Sequence, residues 1–209
     1  MYETAFVAFA TFFATIGPFN VPIVFASLTG DLAPRARTAA AIKGTVIATA
    51  ILLAFAISGD MILNLFGITL PALRIAGGIL LLLISIDMVF ARSSGAVSTT
   101  PDENEEAAEK ADISVFPLAT PLLAGPGAMG AVVLLMADVS GDTLKSLIVV
   151  GALLSVLAMA LVSMLLTAQL QRLLGRTGVH VITRIFGVIL SALAVQFMVD
   201  GLAGSQLFA

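Results

Sequence analysis

The chain has 209 residues, of which 59% are hydrophobic and only 11% are charged, and its mean hydropathy is +1.11. A soluble domain carries about a quarter charged residues, so lipid must solvate most of this surface. The net charge is -3 and the sequence has no basic patch, so nothing in it supports nucleic-acid binding. The chain contains no cysteine, which excludes disulfides and thiol chemistry.

Six apolar segments are long enough to cross a bilayer, which takes about 20 apolar residues per helix. They cover residues 4–28, 39–58, 72–91, 113–137, 145–169 and 182–203. The sequence therefore predicts an all-α, polytopic membrane protein with six transmembrane helices and membrane lipid as its surroundings. The N-terminal segment lacks a positive leader and is interpreted as a retained first span.

The first span is interrupted near its middle by Gly17 and Pro18, and Asn20 follows closely. Proline removes a backbone donor and clashes with the preceding turn, so the helix is predicted to break here. A kink is the alternative, since membrane helices tolerate proline where neighbours satisfy the freed carbonyls. The side chains of Thr15 and Asn20 could supply hydrogen bonds at membrane depth, or they could serve helix packing.

The third span carries Arg74 near its start and Asp87 late in its course. The arginine is interpreted as a structural residue that reaches the interface or binds helix-end carbonyls, and gating of a pathway is the alternative. Asp87 could carry a proton or pair with an arginine, or it could lie at the cytoplasmic boundary. Gly77 and Gly78 are small residues at packing spacing, which predicts close contact with another helix.

Residues 92–112 separate the two halves and form the most polar connection. Their core, STTPDENEEAAEKAD, holds six acidic residues and one lysine. This composition indicates an acidic, solvated cytoplasmic linker, and a docking tail for a partner is the alternative.

The fourth span contains the second interruption, Gly125-Pro126-Gly127, with two further prolines upstream. A half-helix that starts after such a break presents free N–H groups, which suit an anion or the carboxylate of a zwitterion. The half-helix that ends before it exposes carbonyls, which suit an ammonium group or a cation. The predicted substrate-binding residues are Thr15, Gly17, Pro18, Asn20, Thr120, Gly125, Pro126 and Gly127.

An internal repeat links the two halves. Gly17-Pro18 matches Gly125-Pro126, and the stretch that starts at Arg74 matches the one that starts at Arg184, which is therefore also a candidate for gating or coupling. Three helices per half is an odd number, so the second half must be inverted. The sequence predicts repeats at 1–91 and 113–209 with discontinuous first and fourth helices, the pattern of a secondary transporter, and chance recurrence is the alternative.

The distribution of charged residues between the spans predicts the orientation of the chain in the membrane. Lysine and arginine concentrate in the first, third and fifth connections, which predicts that both termini lie outside. The single histidine, His180, lies in a connection, and the chain lacks the motifs of hydrolases, metalloproteases and nucleotide-binding enzymes. The sequence therefore predicts neither catalysis nor a metal site nor a cofactor.

Three stretches of the chain resemble the MarC family of inner-membrane proteins, which includes the small neutral amino-acid transporters called SnatA. They are GPFNVPIVFASLTGDLAPRAR, NLFGITLPALRIAGGILLLLISIDM and FPLATPLLAGPGAMGAVVLL. The resemblance spans nearly the whole chain outside the acidic linker. One position departs from the family pattern, because relatives often place Asp or Asn before the first-break proline, where this chain has Gly17.

The resemblance implies a cytoplasmic-membrane protein that moves glycine, alanine and similar amino acids, coupled to protons or another ion. Together with the matched breaks, it predicts alternating access. A channel or passive pore for a small solute, an exporter of another small metabolite and a nontransporting scaffold are the alternatives. The sequence leaves homo-oligomerisation open.

Overall fold

The computed structural model describes residues 1–30, 32–90 and 113–205, and within these ranges the chain is helical, with no strand. The predicted acidic linker, 92–112, lies outside the described residues. The helices are α1 Tyr2–Ile16, α2 Val21–Leu28, α3 Pro34–Leu65, α4 Leu70–Phe90, α5 Ser114–Leu123, α6 Pro126–Asp138, α7 Thr143–Leu165 and α8 Thr167–Gly204.

The described helices supply five membrane spans by length and apolarity, or six if the bent pair α5 and α6 forms one span. Two helices extend well beyond the apolar segments that predicted them. Helix α3 begins at Pro34 rather than at residue 39, and α8 begins at Thr167 rather than at residue 182. Hydropathy detects the lipid-facing part only, whereas alanine, leucine, arginine and glutamine are strong helix formers that continue a helix past the membrane.

The first span breaks at Gly17, as the sequence predicts. Gly17 adopts a left-handed conformation with φ 63°, which glycine reaches without the cost a Cβ imposes, and it ends α1. Its carbonyl then accepts hydrogen bonds from the N–H groups of Asn20 and Val21 at 2.8 and 3.0 Å, and α2 starts there. Pro22 lies in the first turn of α2, where a helix has free N–H groups, so it costs no hydrogen bond.

The second break lies between α5 and α6 and bends the span by 54°. Segment α5 is irregular, because Phe116 and Thr120, which each precede a proline, have extended backbones and force wide turns. The N–H group of Ala124 donates to the carbonyl of Ala119 at 2.8 Å, and Gly125 is extended before α6 begins at Pro126. Segment α5 is thus a wide, irregular helix rather than a regular α-helix, and the predicted discontinuity of the fourth span is confirmed.

Helices α4 and α8 form a tightly packed antiparallel pair. A Cβ placed on Gly78 would lie 2.6 Å from Cγ of Met198 and 2.7 Å from the carbonyl oxygen of Ala194. At the other end of the pair, a Cβ on Gly187 would lie 3.0 Å from Cβ of Met88. The spacing at Gly78 confirms the prediction that this glycine serves close helix packing, and Gly187 serves the same purpose on α8.

The remaining helices pack across the two halves of the chain. Helix α1 packs against α6, α7 and α8, whereas α3 packs against α5, α6 and α7. The core between them is formed by side chains such as Phe12, Phe25, Leu118 and Leu157, none of which is more than 1% exposed. Each half of the chain therefore completes its core with helices of the other half.

Candidate functional site

The first break presents a few polar groups among buried apolar side chains. Thr15 is buried, and its hydroxyl donates to the carbonyl of Thr11 at 2.9 Å within α1. Asn20 is half-buried, and its Oδ1 accepts a hydrogen bond from the hydroxyl of Thr183 at 3.1 Å. This bond ties the break to α8, a contact that sequence reasoning missed because Thr183 is 163 positions away along the chain.

The second break presents mainly backbone. Gly125 and Gly127 are buried, whereas Pro126 is exposed. No side chain in the described part of the chain caps the start of α6, so the N–H groups of Gly127 and Ala128 keep their donor capacity at a buried helix start. The half-buried hydroxyl of Thr120 donates to the carbonyl of Val115 at 3.3 Å and is already engaged within α5.

The two broken spans lie alongside each other in opposite directions, since α1 packs against α6 and α2 contacts α5. Within the described ranges no hydrogen bond joins the side chains of one break to those of the other. A small cavity of about 10 Å³ touches the first break, lined by Phe13, Gly17, Phe19, Asn20, Met88, Ile182 and Thr183. The first break thus faces the region where α4 ends and α8 crosses it.

A much larger cavity, of about 270 Å³, opens at one end of the helical assembly and is here called the vestibule. Its wall comprises the beginnings of α1 and α7 and the ends of α6 and α8. The residues that line it are Glu3, Thr4, Val7, Leu135, Asp138, Val139, Lys145, Val149, Leu193, Gln196, Phe197 and Asp200. These segments carry the termini and the connection 138–144, which the predicted topology assigns to the same side of the membrane.

Arg74 lies at the vestibule end of α4 and forms an ion pair with Asp138 of α6. Its Nε donates to Oδ1 of Asp138 at 2.9 Å, and Nη2 contacts the same oxygen. The two side chains are 25% and 35% exposed, so water still screens the pair. The sequence identified Arg74 but not its partner, although both residues fall at span ends on the same predicted side.

Asp87 and Arg184 lie toward the opposite end of the α4–α8 pair. Asp87 is half-buried late in α4, and Arg184 is exposed on α8. In the part of the chain that the structure describes, no group of three or more His, Asp or Glu side chains could hold a metal ion.

The connection before α7 is fixed by a helix cap at the vestibule rim. Oδ1 of Asp142 accepts the backbone N–H of Lys145 at 3.1 Å, and its other oxygen pairs with Nζ of the same lysine at 3.3 Å. The backbone hydrogen bond, reinforced by the lysine charge, holds the pKa of Asp142 below its ordinary value. Lys145 is thereby partly neutralised where it lines the vestibule.

The Arg74–Asp138 pair predicts a charge-swap result. We expect R74D and D138R each to lower the stability of the purified protein, because either variant places two like charges together at the end of α4. The loss should be about 0.5–1 kcal/mol, since the pair is partly exposed. The double variant R74D/D138R should recover most of it in thermal unfolding, and a double variant no more stable than the singles would show that the pair contributes nothing.

Comparison with known proteins assigns the family. The sequence profile described as MarC family integral membrane protein matches residues 2–206. The chain belongs to the MarC family of integral membrane proteins. No solved structure shows significant similarity to it.

Several MarC relatives cover nearly the whole chain. A UPF0056 membrane protein of Methanocaldococcus jannaschii is 42% identical over 96% of each chain. The UPF0056 membrane protein YvbG of Bacillus subtilis is 39% identical over 94% of this chain and 92% of its own. The UPF0056 membrane protein YhcE of Escherichia coli is 36% identical over 97% of this chain and 94% of its own. Their names describe membrane proteins rather than enzymes and specify no substrate, so the family establishes an integral membrane protein.

Proposed function

We propose that this MarC protein is a secondary transporter that moves small neutral amino acids of the glycine and alanine class by alternating access. The observation that carries the proposal is the antiparallel arrangement of two broken membrane spans. Because α1 packs against α6 and α2 contacts α5, the two interruptions come from opposite directions. Broken helices at corresponding positions of two repeats are typical of secondary transporters.

The packing supports an inverted relation between the repeats. In that relation α1–α2 corresponds to α5–α6, α3 to α7, and α4 to α8. A twofold axis then requires that each contact has a counterpart with the halves exchanged. The contacts of α1 with α7 and of α2 with α7 do have such counterparts, in α3 with α5 and in α3 with α6.

The α4–α8 pair supports the same relation at the level of single residues. Gly187 lies against Met88 and Gly78 lies against Met198. At the sequence offset of 110 between the repeats, Met88 corresponds to Met198, and Gly187 corresponds to Gly77, the neighbour of Gly78. An antiparallel pair with a reciprocal glycine–methionine contact is the arrangement that an axis in the membrane plane produces.

The breaks offer the donors and acceptors that a zwitterion needs. The uncapped start of α6 supplies N–H groups with the positive end of a helix dipole, which suits a carboxylate. Carbonyl groups at the end of α5 and the amide oxygen of Asn20 suit an ammonium group. Gly125 and Gly127 are buried and carry no side chain, which favours a small ligand.

The test is uptake of labelled glycine and alanine into proteoliposomes that contain the purified protein. We expect saturable uptake that unlabelled amino acid on the opposite side accelerates, and that a gradient of protons or of sodium increases. Single-channel currents with no saturation would favour a pore. No flux above that of empty vesicles, under any gradient, would refute the proposed function.

A further inference from the structure

The vestibule has an uncompensated negative charge. Of its charged residues, Asp138 is paired with Arg74, and Lys145 is paired with Asp142. Glu3 has no cationic partner within the described residues, and Asp200 accepts only a neutral hydrogen bond, from Nε2 of Gln196 at 2.7 Å. Two carboxylates therefore face a partly enclosed space of about 270 Å³, where low-dielectric walls strengthen their field.

A line of threonines on α1 leads from this space toward the first break. Thr4 lines the vestibule, and at about 100° per residue Thr4, Thr11 and Thr15 fall within about 40° of one another on the helix. Thr11 therefore lies one turn beneath Val7, which also lines the vestibule. Its side chain is 0% exposed, and its hydroxyl oxygen has no hydrogen-bond partner among the described residues.

An unpartnered buried hydroxyl is costly, and such groups are rare in folded proteins. Among the described residues, most threonine and serine hydroxyls bond to a carbonyl of their own helix, as that of Thr15 does at 2.9 Å. The buried, unpartnered hydroxyl of Thr11 lies below the vestibule and before the first break. A passing polar solute would find a free hydrogen-bonding group at that position.

The facing helix leads from the same space to the second break. Asp138 and Leu135 line the vestibule on α6. Farther along the helix, Ala131, Ala128 and Gly127 lie within about 100° of the same face. These three residues are small and buried, and α6 packs against α1.

We propose that the vestibule is the access site of the transport route on its side of the membrane, and that the seam between α1 and α6 connects it to both breaks. The inference rests on the proposed function, to which it adds the route and its charge preference. Val7 and Leu135 close the floor of the vestibule, and Thr11 and Ala131 line the seam below them. Glu3 and Asp200 select solutes that carry an ammonium group, such as a zwitterionic amino acid, over simple anions.

The native chain contains no cysteine, so single cysteines report accessibility without a background. The test labels T11C and A131C in proteoliposomes with two membrane-impermeant methanethiosulfonates, one carrying trimethylammonium and one carrying sulfonate. A10C is the matched control, because Ala10 is 2% exposed at the depth of Thr11 but lies on another face of α1. We expect both route cysteines to react at least about tenfold faster than A10C with the cationic reagent, a difference within the range of cleft effects.

A separate measurement tests the proposed preference of the vestibule for cations. After each rate is divided by that reagent's rate with a small free thiol in solution, the cationic reagent should react about tenfold faster with T11C than the anionic one, and the substitutions E3Q and D200N together should remove that preference. Unreactive T11C and A131C, or rates equal to that of A10C, would overturn the route. A preference that persists in E3Q/D200N would overturn the role of the two carboxylates.

Uptake measured on the same vesicles separates the two proposals. If glycine uptake is intact while T11C and A131C resist labelling, the route is wrong and the transport function stands. If both cysteines react but no amino acid is taken up, the route stands for another solute and the proposed substrate is wrong.

Discussion

Gly127→Leu is expected to abolish the uptake of labelled glycine while leaving a folded, membrane-inserted protein. Gly127 is buried at the second position of α6, next to the backbone donors that the proposed carboxylate site uses. A leucine side chain would occupy the space where the substrate approaches the backbone. A steric clash of this kind costs about 1–3 kcal/mol, and when substrate binding bears that cost the affinity falls by about 5- to 160-fold.

The control for this variant is Gly151→Leu in α7. Gly151 is exposed, and a Cβ placed there would have no atom within 4 Å. Both variants should elute as monodisperse protein from a size-exclusion column, and only Gly127→Leu should lose uptake. Gly127→Ala should retain part of the activity, because it adds one methyl group. Uptake by Gly127→Leu at the rate of the native protein would move the substrate site away from the second break.

Gly78→Ala is expected to destabilise the fold itself. The added Cβ would lie 2.7 Å from the carbonyl oxygen of Ala194, a backbone atom of α8 that cannot rotate away. The helices must then separate, at a cost of about 1–3 kcal/mol, or roughly 5 °C in the midpoint of thermal unfolding. Gly201→Ala should behave alike, since its Cβ would lie 2.8 Å from the carbonyl oxygen of Pro71.

Gly130→Ala, in contrast to Gly78→Ala, is not expected to lower the stability of the fold. The nearest atom to a Cβ at Gly130 is Cδ1 of Leu80, at 3.9 Å, so the methyl group has room. Alanine is a better helix former than glycine by about 1 kcal/mol, and the midpoint of unfolding should stay the same or rise. If Gly78→Ala unfolded at the native temperature, close glycine packing between α4 and α8 would not limit the stability of the protein.

The positions of the breaks were predictable because their cause is local. Gly17-Pro18 and the Gly-Pro-Gly at 125–127 disfavour a continuous helix through their own backbone geometry, and the structure breaks at both. The packing role of Gly77 and Gly78 in α4 was predictable for the same reason, since spacing along one helix reveals a packing face. The irregular course of α5 was harder to predict. Hydropathy alone suggests a regular α-helix there, whereas the backbones of Phe116 and Thr120 are extended.

The contacts between helices were not predictable, since they depend on how each helix is rotated in the assembly. Asp138 and Thr183 gave no local signal, yet they bind Arg74 and Asn20 across the fold. Thr11 lies in the run FATFFATI, where its neighbours read as ordinary lipid-facing or core residues. The vestibule likewise requires the ends of four helices to converge, which no single segment of sequence encodes.

The two breaks differ in structure, and under the proposed transport function this difference has a kinetic consequence. The first is a compact turn about one left-handed glycine, and the second is a long irregular segment with extended residues. In a carrier that exposes its site alternately to two compartments, unlike halves make the two conformations unequal in free energy, so the empty protein rests mainly in one of them. The Michaelis constant measured from the disfavoured side is then higher by about the ratio of the two populations, while the gradient alone still sets the direction of net flux.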